Sequence, residues 1–142
     1  MRGQAVVEWM VILAMALVIL ALMLSFNQEN YSFFKNNVQV GQVKSTLNNL
    51  KNSVDFVYSQ GKDAQTRLHV TIPHSSNFTI NTLSSGRGQI QAVVYVNGNE
   101  EYYDVYTDAN LTGSLPSRAG SYCIDVNYTG TYVSISRSSG SC

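Results

Sequence analysis

Residues 9–26 read WMVILAMALVILALMLSF, eighteen residues with no charge, proline or glycine. At 1.5 Å of rise per residue, such a helix is about 27 Å long, close to the thickness of a bilayer's hydrocarbon core. Leu, Ala and Met favour helix, and Trp9 stands at one edge, where aromatic rings suit a membrane interface. The stretch predicts a retained hydrophobic helix. A secretory signal would have a shorter apolar region and a small-x-small cleavage site, and NQENYSFF after Phe26 offers none. Arg2 precedes the apolar run and the next basic residue is Lys35, which predicts a cytoplasmic N-terminus and an exterior C-terminus. One residue is out of place. Glu8 puts a carboxylate at the head of the apolar run, where burial without a partner costs several kcal/mol.

The next segment continues the helix. From Val40 the apolar residues Val43, Leu47, Leu50, Val54 and Val57 alternate by three and four, in a stripe that also takes in Phe33, with Lys44, Lys51, Asn48 and Asn49 off it. The stripe suits packing on the chain's own sheet or on a partner helix. Gly61 is a natural stop. The period then changes to two: Leu68, Val70 and Ile72 share a face and Pro73 ends the run. Asn97-Gly98 between two strand-like runs is a strong hairpin signal, and Thr129-Gly130 marks a second hairpin. DANLTGSLPSRAG between them reads as loop. The expected fold class is α+β: a long N-terminal hydrophobic helix followed by a small antiparallel sheet of about four to six strands. The expected parts are residues 1–3 as leader, 4–26 as apolar helix, 27–61 as amphipathic continuation and 62–142 as β head.

Charge gives little direction. Nine basic and nine acidic residues leave a net charge of zero, and charged residues are only 13% of the chain, so a nucleic-acid partner is not expected. The polar part is rich in Asn, Ser and Thr, which suits an exposed or glycosylated surface. Four Asn-x-Ser/Thr sequons begin at Asn30, Asn77, Asn110 and Asn127, which makes these asparagines the expected glycosylation sites, some of them occupied. The cysteines are Cys123 and Cys142, and an even count in an exported chain reads as one disulfide.

No catalytic residues and no cofactor are expected. The two histidines, His69 and His74, form no zinc spacing, and His69 reads as a solvated strand residue. Neither a phosphate-binding loop nor a serine nucleophile elbow occurs. Glu100, Asp104 and Asp108 share a face if extended, alternating with Tyr102 and Tyr106. They form a charged strand face without the glycine-spaced ligand loop of a calcium site, so no metal is expected. Seven tyrosines, Tyr95, Tyr102, Tyr103, Tyr106, Tyr122, Tyr128 and Tyr132, fall in the β region as cross-strand pairs or as subunit or ligand contacts.

A free α-amino group close to Glu8 would satisfy its carboxylate, and a cut after Gly3 would create one at Gln4. Arg2-Gly3 before Gln4, Glu8 at the fifth position from that cut and an apolar helix beyond resemble the class III signal peptide of archaeal type IV pilins. Val6 stands where that family commonly has serine. VYSQG followed by a strand ending TIP is similar to the same family, and RGQA-VE is shared with TadE-like pseudopilins. The resemblance implies cleavage between Gly3 and Gln4 by a prepilin peptidase, and assembly by a platform protein and an ATPase. It further implies a homopolymer built through the N-terminal helices, with Glu8 meeting a neighbour's amine. Before assembly the chain would be anchored in the cytoplasmic membrane; afterwards it would lie in an adhesive filament at the cell surface. The alternatives are a membrane-anchored monomeric surface binding domain (an adhesin or minor pilin) or a TadE-like pseudopilin.

Overall fold

The computed structural model describes residues 2–96, 98–140 and 142; within its helix, the side chains of residues 2–6, 27–30 and 32 lie outside the described set. The layout is α+β. Helix α1 runs from Arg2 to Gln60, followed by strands β1 (Gln65–Ile72), β2 (Ser76–Thr82), β3 (Gly88–Val96), β4 (Asn99–Thr107), β5 (Leu111–Gly113), β6 (Gly120–Tyr128) and β7 (Val133–Arg137). Two compact units divide the chain, Met1–Asn37 and Val38–Cys142. The second half of α1 therefore belongs with the strands.

Among its described residues, the first unit is helix alone. Between Val7 and Phe26 no residue of the apolar span is buried. The second unit, the head, is built on the helical seam. Val43, Leu47, Leu50, Val54 and Val57 are at most 2% exposed and join Val70, Ile72, Ile90, Val94, Ile124, Val126, Val133 and Ile135 in one core. The three-four alternation puts these helix residues on one side, where the sheets cover them. Phe33 does not share that burial: it is 70% exposed and lies in the first unit, so the buried seam begins at Val43. Thr46 donates its hydroxyl to the Thr71 carbonyl at 3.1 Å, tying the helix to β1. Gly61 stops the helix with φ of 94°, a backbone setting that costs a side-chain-bearing residue energy, and the Ala64 N–H bonds back to its carbonyl.

The strands form two sheets rather than one. A four-stranded sheet has the order β1-β6-β7-β5 and a three-stranded sheet the order β2-β3-β4. The expected hairpins are present. β3 and β4 pair from Val96↔Asn99 onward across the Asn97-Gly98 turn, of which Asn97 lies outside the described residues. β6 and β7 pair from Tyr128↔Val133.

Two expectations are corrected. The described residues hold seven strands, and the sheets are not all antiparallel: β5 runs parallel to β7. β5 comes from DANLTGSLPSRAG, the stretch expected to be loop. Only Leu111 marks it. That side chain is buried, and the pairing is with a strand far along the chain, which local periodicity does not report. Gly113 makes the pairing possible, since a Cβ there would stand 1.9 Å from the Ile135 carbonyl oxygen.

Candidate functional site

The first candidate is the exposed helix. Val7–Phe26 has a mean hydropathy of 2.7 and twenty residues, long and apolar enough to cross a membrane. Its large side chains are 50–73% exposed. One face carries a shallow apolar hollow of about 440 Å³ lined by Val11, Ala14, Met15, Val18 and Ile19. The spacing is that of a helix stripe, and the small Ala14 leaves room for a facing side chain. Glu8 stands three residues before Val11 and seven before Met15, at the N-terminal end of that stripe. It is exposed, and among the described residues none pairs with it. Gly3 and Gln4 are helical, but the surroundings of the Gln4 side chain lie outside the described set.

The second candidate is the outer face of the β2-β3-β4 sheet. Register places its residues in cross-strand columns. Asn77, Val93 and Tyr102 form one column, Thr79, Gln91 and Asp104 the next, and Asn81, Gln89 and Tyr106 the third. Tyr95 faces Glu100 at the turn end. The Tyr102 hydroxyl donates to the Glu100 carboxylate at 2.5 Å. The hydrogen bond to Glu100, and then its charge, hold the Tyr95 and Tyr102 phenols above the ordinary phenol range. One carboxylate thus bonds the Tyr102 ring, which is 57% exposed, and faces the Tyr95 ring, which is 49% exposed. On the inner face, Tyr103 donates to Glu101 and lies 4.7 Å beneath the Lys44 ammonium. Glu100 and Asp108 do not converge on Asp104: Glu100 accepts from the Tyr102 phenol, while Asp108 faces Arg87 at 3.5 Å. Among the described residues no three His, Cys, Asp or Glu side chains gather as metal ligands.

The remaining sequence-picked residues scatter. His69 and His74 are exposed. Asn77 is exposed on β2 and Asn127 on β6, whereas Asn110 is half-buried and its side-chain oxygen lies against Gly86. The Asn30 side chain lies outside the described set. Cys123 and Cys142 are joined, with Cα atoms 5.4 Å apart. On the outer face of the other sheet, Arg67 donates to Asp125 at 2.6 Å, and this bond, with one from Ser138, holds the Asp125 carboxyl below its usual range. The Tyr95–Glu100–Tyr102 group is the feature that sequence reasoning missed. Its signal was present: a two-residue turn at Asn97-Gly98 pairs Val96 with Asn99, and hence Tyr95 with Glu100.

Known protein families, curated proteins and solved structures give no match to this chain.

Proposed function

We propose that the chain is a structural subunit of an adhesive filament of the archaeal type IV pilus kind, cut between Gly3 and Gln4 and polymerised through its N-terminal helix. Glu8 carries this reading: an exposed carboxylate at the head of an apolar helix in which no residue from Val7 to Phe26 is buried. The amine created at Gln4 of a neighbouring subunit is the partner the reading assigns to it. Such a pair, in a dry helical core, sets the axial step between subunits, because leaving either charge alone there is strongly unfavourable. The stripe of Val11, Ala14, Met15, Val18 and Ile19 supports the same reading, since it offers a neighbouring helix a continuous apolar seat. The head would then form the filament surface.

A membrane-anchored monomeric binding domain is the second reading. The twenty-residue span favours it equally well, but it gives Glu8 no task. The discriminating experiment is N-terminal mass spectrometry on material sheared from the cell surface, with Glu8→Ala alongside. Filament assembly predicts a chain beginning at Gln4 in sedimentable material. It also predicts that Glu8→Ala leaves processed subunit in the membrane with few filaments outside. An uncut chain found only in membranes, or normal filament numbers from Glu8→Ala, rejects the proposal.

A further inference from the structure

We propose that Asn77 carries an N-linked glycan and that the outer face of the β2-β3-β4 sheet is the docking surface for that glycan, its first sugars lying across Val93 onto the ring of Tyr102. The proposal needs the head to be exported, as the filament reading also does, but it does not need the filament.

Three observations converge on this face. Asn77-Phe78-Thr79 is a sequon whose Asn77 and Thr79 are exposed while Phe78 is buried, so both recognition side chains point outward from β2. Register then places Val93 and Tyr102 in line with Asn77. Adjacent strands lie about 4.8 Å apart, so Tyr102 is about 10 Å from Asn77, a span that a short oligosaccharide covers. Finally, the Tyr102 ring is held ready: it is 57% exposed and its hydroxyl is bonded to Glu100. A sugar presents a flat patch of C–H groups that sits well on an aromatic face, and a ring already fixed in place loses little freedom on contact. The neighbouring column of Thr79, Gln91 and Asp104 offers donors and acceptors to the sugar hydroxyls.

The other described sequons lack this arrangement. Asn110 is half-buried against Gly86, and its backbone carbonyl accepts the Val133 N–H at 2.7 Å. Asn127 is exposed, but its cross-strand neighbours are Gln65 and Ser134, which offer no ring.

The donor is a lipid-phosphate-linked oligosaccharide, acted on by a transferase of the host. The Asn77 side-chain nitrogen bonds to the anomeric carbon as the bond from that carbon to the phosphate oxygen breaks. The lipid phosphate departs with the electron pair, and the amide gives up one proton.

The test uses the full chain, purified in detergent from its own host. Glycopeptide mass spectrometry reads occupancy at Asn77. Tyrosine nitration then reads cover: in Asn77→Gln, nitration of Tyr102 rises several-fold while that of Tyr106, two columns away, stays as it was. Thr79→Ala removes the sequon and keeps Asn77, so it gives the same result if Asn77→Gln fails to fold. An unmodified Asn77 overturns the proposal. So does an occupied Asn77 with unchanged nitration of Tyr102, which would mean that the glycan points to solvent. If filaments are absent yet Tyr102 is still covered, the filament reading fails and this one stands.

Discussion

Glu100 does more than charge a strand. Its carboxylate accepts from Tyr102 and faces Tyr95 across the strands, so ionising either phenol places a second negative charge near it. Both phenols therefore keep their protons to higher pH in the folded head than in an unfolded chain. The folded-state value is raised, so this contribution is complete below the ordinary phenol range, near about pH 10, and is lost as pH rises through the raised values. Glu100→Gln keeps a hydrogen-bond acceptor and removes the charge. In a phenolate absorbance titration, Tyr95 and Tyr102 are expected to ionise earlier in the variant than in the parent. Superimposable titration curves would mean that the two rings are not held by Glu100 in solution. This group was legible only indirectly: Asn97-Gly98 fixes the register that sets Tyr95 opposite Glu100, but nothing local says that the Glu100 carboxylate will bond the Tyr102 ring on the same sheet face.

At the scale of elements, the readable parts were those whose signal is local. The spacing from Val43 to Val57 announces a one-sided helix, Gly61 its end, and Asn97-Gly98 a hairpin, because each rests on neighbours in sequence. β2 and β5 were harder. SNFTINT has Phe78 and Ile80 among amides and hydroxyls, and Phe78 alone is buried. β5 is three residues long and owes its existence to a parallel partner some twenty residues on. Gly113 is where that partner comes closest: a Cβ would stand 1.9 Å from the Ile135 carbonyl oxygen, at φ of 119°. Gly113→Ala is expected to weaken the head by about 2–3 kcal/mol, read as a lower urea midpoint of the full chain in detergent. Gly41→Ala is the contrasting change. Nothing lies within 4 Å of its Cβ, and the site is an exposed helix interior. There alanine is expected to raise stability by about 0.5–1 kcal/mol. Equal effects at the two glycines would mean that β5 does not pair closely with β7.

Over the whole molecule, the two units have opposite needs. Among the described residues, the buried apolar core begins at Val43 and is made entirely of head residues. The apolar span from Val7 to Phe26 has no residue buried. Covering a large aliphatic side chain is worth about 1.5–3 kcal/mol, so the span's many exposed side chains together exceed the roughly 5–15 kcal/mol stability of an ordinary domain. That imbalance means lipid, detergent or other copies must cover the span, whichever reading of the chain holds. A chain reduced to residues 38–142 is therefore expected to be soluble without detergent and to unfold in one cooperative transition. Its midpoint should match that of the head in the full chain. The Cys123–Cys142 bond, which spans 19 residues, should stay formed in it and contribute about 3 kcal/mol that reduction removes. A fragment that unfolds gradually, or at a clearly lower midpoint, would show that the first 37 residues also help to hold the head together. The stripe from Val43 to Val57 would then be only part of the helix's contribution to the core.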